Sequence, residues 1–273
     1  MRDPLPASLH DTALAYERGE AAAVAPRDAA TVVLLRDAPG GVECYLLRRQ
    51  PSMAFAAGMY VFPGGSVDAR DASDDVPWSG PGPPVWADRL GCSVELAQAL
   101  VCAAVRETFE EAGVLLAGAD AGQVVLDPSG ADWEADRVAL VDRTLSLGQL
   151  LRRRRLVLRA DLLGAWTHWI TPLFEPRRYD TRFFVAVLPD EQRARDVSTE
   201  SDQVAWMTPA AALAGADSGA VSLMPPTRVT LTEMGRLGSA AEALHVASDR
   251  RIDPVLPRAV RDADGLWLET GQP

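Results

Sequence analysis

The sequence predicts an α/β fold, an α/β/α sandwich around a mixed sheet. Three observations lead there. Short runs of β-branched and leucine residues recur along the 273-residue chain, each closed by Pro, Gly or Asp. One segment ahead of Gly113 carries a sustained 3.6-residue apolar period. Further helix signals lie among the strand signals, which favours helices packed on a sheet. About half of the residues are apolar, enough for one large domain with extensions.

The elements follow in order. Residues 1–28 are rich in Ala and charge with weak periodicity and read as a loose arm or short helix. A strand over Ala29–Asp37 is stopped by Pro39, Gly40 and Gly41, and Val42–Arg49 is its hairpin partner. Gly58–Gly65 is a short strand ending in a Pro-Gly-Gly turn. Asp68–Gly91 is rich in Asp, Pro and Gly, has no period, and reads as an inserted surface loop.

Ser93 is placed to cap a helix that runs to Ala112, with Glu95 in its first turn and Gly113 as its left-handed stop. Val101, Val105, Thr108, Phe109 and Ala112 form its apolar stripe, with Glu107, Glu110 and Glu111 on the opposite side. Weaker helices are expected at Trp133–Thr144 and Ser146–Arg153. Strands are expected over Gly164–Pro172, Asp180–Pro189 and Asp202–Pro209, and helices start at Pro209 and near Pro226. The tail after Asp253 is Pro-rich and reads as a packed extension. The domain reading is thus an arm over 1–28, a catalytic domain over 29–215 with 68–91 inserted, and a helical extension over 216–273 on the same domain.

The net charge of −11 excludes general nucleic-acid coating, which needs a basic footprint. No apolar run reaches transmembrane length, so no membrane partner is expected. Three cysteines, Cys44, Cys92 and Cys102, show no metal-ligand spacing and read as reduced thiols of a cytoplasmic protein.

Glu107, Glu110 and Glu111 stand at i, i+3 and i+4. Like charges so placed destabilise a bare helix by a few tenths of a kcal/mol per pair. A hard divalent cation with a phosphate substrate would offset the repulsion. Taken alone, the cluster is more often a solvated acidic face. Arg106 is spaced to pair with Glu110.

The surroundings point to chemistry. "RETFEEAGV" (Arg106–Val114) resembles the second half of the Nudix box, and "GGSVD" (Gly64–Asp68), after Phe62 and Pro63, resembles its first half. Thr108 departs from the aliphatic residue the family prefers. Forty residues separate Gly65 from Arg106, far more than the box ordinarily holds, and the early box glutamate has only Asp68 or Asp71 as stand-ins. Such an interrupted box, with "RRYDTRFFVA" (Arg177–Ala186), resembles the Nudix branch that includes a peroxisomal coenzyme A diphosphatase of mammals.

The resemblance implies a Nudix-type sandwich and a Mg²⁺- or Mn²⁺-dependent hydrolase that opens the pyrophosphate of a nucleoside diphosphate-linked small molecule. Glu110 and Glu111 would be metal ligands, Glu107 a further ligand or the base, and the Gly65 carbonyl part of the metal shell. Arg106 would hold the glutamates, and Glu200 is a distal ligand or base, or else a solvated loop residue.

Coenzyme A or acyl-coenzyme A is the leading substrate. Leu46, Leu47, Arg48 or Arg49, Gly58 and Phe62 match the signature that precedes the box in relatives, while Phe55 and Ala56 do not. Arg48 or Arg49 would meet phosphate or simply cap a strand edge; Phe62 and Gly64 complete the substrate set. ADP-ribose, NADH or other dinucleotides are the alternative substrates, and a non-catalytic nucleotide sensor is the alternative class. A homodimer is an open family expectation. The basic run Leu151–Leu156 reads as an exposed helix end, and His168 as a core or strand-edge residue.

Overall fold

The computed structural model describes residues 2–53, 56–73 and 75–271; Phe55 lies outside them. An N-terminal strand β1 (Arg2–Pro4) and helix α1 (His10–Glu17) precede the long hairpin β2 (Arg27–Ala38) and β3 (Gly41–Arg49). Two short strands follow, β4 (Tyr60–Val61) on β3 and β5 (Gly64–Ser66) on β2.

The expected surface loop over Asp68–Gly91 is corrected by the structure. It holds helix α2 (Ala69–Ser73), strand β6 (Trp78–Ser79) and helix α3 (Pro83–Leu90). Trp86, Ala87 and Leu90 of α3 enter the main core. The signals were local and overlooked amid the Pro and Gly: prolines at the first two helical positions and Gly91 as a left-handed stop at φ 62°.

Helix α4 (Val94–Ala112) matches its expected bounds. The Ser93 hydroxyl accepts the Leu96 N–H at 3.2 Å, and Gly113 closes the helix at φ 67°. Its expected one-sided apolar stripe is wider in fact. Ala97, Ala99, Ala103 and Ala104 are small enough for close packing, so the helix is buried nearly all round. The Thr108 hydroxyl donates to the Ala104 carbonyl at 2.7 Å, which satisfies it inside the core.

Beyond β7 (Ala117–Gly118) come α5 (Ala131–Val141), α6 (Leu147–Arg154) and β8 (Val157–Arg159), then the central strands β9 (Leu163–Ile170), β10 (Tyr179–Val187) and β11 (Ser201–Met207). Helices α7 (Pro209–Asp217), α8 (Pro225–Met234) and α9 (Ala240–Asp249) lead to β12 (Pro254–Val255), β13 (Arg258–Asp262) and β14 (Gly265–Glu269).

The central sheet has the order β11-β3-β2-β10-β9-β12, with β4 and β5 added to β3 and β2. β2 pairs parallel with β10, and β9 with β12; the other pairings are antiparallel, so the sheet is mixed. One face packs on α3 and α4 through Val32, Leu34, Phe184 and Ala186. The other carries Val33, Leu35, Phe183 and Val185 against Leu231, Met234 and Ala243 of α8 and α9. The alternation is the period-2 rule of a sheet covered on both sides.

The ends of the chain also differ from expectation. The arm contains β1, which pairs with β14. The C-terminal extension is helical only in part, because β12 joins the central sheet and β13–β14 form a three-stranded sheet with β1. The β1–β14 and β12–β9 pairings join segments distant in sequence, long-range events that local pattern does not disclose. No helix among the described residues is long and apolar enough to cross a membrane.

Candidate active site

Strand β5 lies antiparallel to β2, with Gly64 opposite Thr31 and Gly65 opposite Ala30. This places the two glycines against the second half of α4. The Gly64 N–H donates to Glu111 Oε2 at 2.8 Å. A Cβ on Gly64 would fall 2.5 Å from the Ala30 carbonyl oxygen, and one on Gly65 would fall 2.4 Å from Glu107 Oε1. Gly64 is therefore closed to any side chain, whereas one at Gly65 would have to push the Glu107 carboxylate out of the cradle that the Gly65 backbone forms for it.

Arg106 organises the carboxylates. Its Nη1 donates to Glu107 Oε1 at 2.7 Å and to both Glu110 oxygens at 3.3 Å. Its Nε and Nη2 meet Asp71 at 3.1 and 2.9 Å, and Nη2 also donates to the Ser66 carbonyl at 3.0 Å. Of the two stand-ins, the structure brings Asp71 and not Asp68 to Arg106. Asp71 is buried in the cluster, whereas Asp68 is bound by Arg70. Arg137 of α5 donates to the Glu110 carbonyl at 2.8 Å and pins the end of α4.

Charge is unbalanced here. Asp71, Glu107 and Glu110 crowd the Arg106 guanidinium, while Glu111 sits among Glu107, Glu200 and Arg49, so five carboxylates face two guanidinium groups. Burial pushes the Glu107 and Glu110 carboxyls above the usual range in spite of Arg106. Burial, with the neighbouring Glu107 charge, pushes Glu111 well up. Among the described residues no group of three or more His, Cys, Asp or Glu side chains is arranged to hold a metal as a set. The fit of a cation rests instead on an all-oxygen donor set, on this surplus negative charge and on the Gly65 cradle. These suit a hard divalent ion, which Glu107, Glu110, Glu111 and the Gly65 carbonyl could hold.

Glu200 is brought to the cluster from 89 positions beyond Glu111. It lines a small cavity of ≈50 Å³ together with Glu107, Glu110 and Glu111. Arg49 reaches it at 3.2 Å. The two candidate arginines part company, since neighbours on a strand face opposite ways. Arg49 lines the large cleft beside the carboxylates. Arg48 is held by Asp202 through bonds of 2.7 and 2.9 Å and does not line that cleft. Phe62 is almost wholly buried and touches the cleft as part of the core behind it.

The cleft measures ≈1220 Å³. Three cationic residues at it escaped the sequence reading, Arg70, Arg143 and Arg228. Arg70 donates to the Arg143 carbonyl at 2.6 Å, across 73 positions, so no local pattern announces them. The basic run is absorbed structurally: Arg153 and Arg154 bind Asp136, and Arg154 stacks 4.0 Å over Trp133. His168 is buried against Asp180 at 2.5 Å.

Comparison with known proteins was consistent with this geometry. The family model of the NUDT19 Nudix domain matches residues 84–237, which contain the glutamate helix but not the diglycine strand. The chain is 29% identical to the acyl-coenzyme A diphosphatase NUDT19 of Gallus gallus, covering 88% of this chain and 77% of that one. It is 28% identical to the Homo sapiens protein of the same name, covering 83% and 70%. It spans 61% and 59% of two further relatives, from Caenorhabditis elegans and Xenopus laevis. Among solved structures, a Nudix hydrolase from Alicyclobacillus acidocaldarius superposes with a TM-score of 0.64 at 27% identity, covering 85% of this chain and 99% of that one.

Proposed function

The chain belongs to the NUDT19 Nudix domain family and is a Nudix hydrolase, and from that premise we propose that it cleaves the pyrophosphate of coenzyme A or an acyl-coenzyme A with the help of Mg²⁺ or Mn²⁺. The observation that carries the reading is the gathering of Glu107, Glu110, Glu111 and Glu200, with Arg49, at a cleft long enough for such a molecule. The activity named for the relatives supports the choice of substrate.

When bound by Glu107, Glu110, Glu111 and the Gly65 carbonyl, the cation would polarise a phosphoryl oxygen and offset charge on the leaving group. The protein's own groups do the rest. Arg106 fixes Glu107 and Glu110 in place. Glu200 or Glu107 accepts a proton from the attacking water. Arg49 holds a phosphate through its guanidinium fork. One water is consumed: its oxygen bonds to one phosphorus as the bridging P–O bond breaks. The products are 3′-phosphoadenosine 5′-phosphate and (acyl-)phosphopantetheine. A cytoplasmic location and a homodimer belong to the same proposal.

Mass spectrometry of products tests it. The purified protein is incubated with Mg²⁺ or Mn²⁺ and coenzyme A, ADP-ribose or NADH. Coenzyme A is expected to give the two named products fastest. Faster cleavage of ADP-ribose or NADH would replace the substrate, and tight binding without any product would replace catalysis by sensing.

A further inference from the structure

We propose that the acyl chain of the substrate lies across the second face of the central sheet, under a roof made by the start of α8 together with the two ends of the polypeptide, so that this roof selects acyl length. The inference rests on the coenzyme A reading above and assigns a subsite to it.

The floor is set by strand alternation. On β2 the cleft is lined by Ala29 and Thr31, which share a face with Val33 and Leu35. On β10 it is lined by Thr181 and Phe183, which share a face with Val185. The cleft therefore leaves the carboxylates of α4 and continues over the face that α4 does not cover.

The roof comes from the start of α8, from Phe174 and from both ends of the chain. Met224, Pro225 and Pro226 at the start of α8 line one part, and Leu9, Phe174 and Leu268 another. Phe174 and Leu268 form a small core with Leu5 and Ala13. The β1–β14 pairing, Arg2 opposite Glu269 through Pro4 opposite Trp267, ties the N-terminal part of the roof to the C-terminal part. Leu9, Leu268 and the β1–β14 pair lie outside the segment matched by the family model.

At the α8 side of the roof, where the Arg228 guanidinium is held by Asp217 at 2.9 Å, the chemistry fits a hydrocarbon better than a phosphate. Pro225 and Pro226 take the first helical positions of α8, so two backbone donors that would favour an anion are missing. Ile170, Leu223 and Met224 are half-buried and turn apolar surface to the cleft. Met53 and Met59 also line it; unbranched thioether chains adapt to ligands of varying length. The ≈1220 Å³ of the cleft exceeds the range of about 300–1,000 Å³ usual for compact ligands.

The test compares free coenzyme A with acetyl-, hexanoyl- and dodecanoyl-coenzyme A. Wild-type protein is expected to show kcat/KM rising about tenfold or more from coenzyme A to the dodecanoyl ester. In Met224→Glu and Leu9→Asp the dodecanoyl-to-coenzyme A ratio is expected to fall at least fivefold. Calorimetric binding in EDTA is expected to show the same change in ratio without turnover. Met224→Gln, which keeps the length of the side chain, is expected to lie between them and covers the case in which Met224→Glu does not fold. A ratio that none of the variants moves overturns the subsite and leaves the coenzyme A reading standing. Cleavage of ADP-ribose with none of coenzyme A or its esters overturns both.

Discussion

Asp71 and Arg106 meet through two hydrogen bonds, 3.1 Å from Nε and 2.9 Å from Nη2, across 35 positions of sequence. Both side chains are buried. The segment that reads as an inserted surface loop therefore supplies the residue that orients the hub of the site. Asp71→Ala leaves Arg106 partly unpaired in the core. Breaking such a buried pair costs about 3–5 kcal/mol. Chemical denaturation is expected to show a loss of that order. In the fraction that folds, kcat is expected to fall more than KM rises; an unchanged kcat would remove the positioning role.

Glu110 is the carboxylate held least tightly by Arg106, at 3.3 Å to both oxygens. Glu110→Gln keeps the shape and removes the charge. Turnover at saturating Mg²⁺ is expected to fall on the order of 10²–10³-fold, the usual loss of one electrostatic stabiliser. Mn²⁺ binding followed by electron paramagnetic resonance is expected to weaken in parallel. Near-normal kcat with normal Mn²⁺ binding would contradict the ligand assignment.

Arg49 and Arg48 are neighbours that face different surroundings. Arg49→Ala removes a guanidinium from the cleft, and charged hydrogen bonds contribute about 1.5–3 kcal/mol. KM for coenzyme A is expected to rise about tenfold or more, while Arg48→Ala is expected to stay within about twofold, since its Asp202 pair is an exposed one. Running both against 3′-dephospho-coenzyme A shows which phosphate Arg49 meets: an equal rise on both substrates assigns it to the pyrophosphate.

Asp180, on the face of β10 opposite the cleft-lining Thr181 and Phe183, is one carboxylate through which stability depends on pH. Burial alone would raise its carboxyl, but the bonds from His168 and Arg182 outweigh it and hold the pKa below the usual value. A depressed carboxylate adds stability above its unfolded pKa, near ~3.9, and loses it as pH falls through the lower folded value. Asp180→Asn is expected to destabilise the protein at pH 7 and to flatten the loss of stability below about pH 4, measured by urea melts across that range. Parallel curves for the two proteins would refute the linkage.

Legibility in the sequence followed the range of the interactions. The long helix was plain because its cap, its apolar period and its stop all lie within twenty-one residues, Ser93 to Gly113. Strands β2, β3, β9, β10 and β11 of the central sheet were plain for the same reason. Helix α3 was missed although its Pro-Pro start and Gly91 stop were present, because the Asp, Pro and Gly around it suggested only a loop. Strands β1, β13 and β14 were missed because short segments become strands only by pairing: β1 and β14 find each other across the whole chain, and β13 is held only through its hairpin with β14.

The sequence by itself determined the family, the α/β sandwich and the identity of the crowded acids, since these depend on residue type at fixed local spacing. Tertiary structure alone decided that Asp71 rather than Asp68 grips Arg106, that Arg49 rather than Arg48 faces the cleft, and that Glu200 joins the glutamates. Each of those outcomes depends on which strand face or distant segment is folded against α4. A side chain's direction is set by the pleat and by packing across the core, and neither is written in the residues on either side of it.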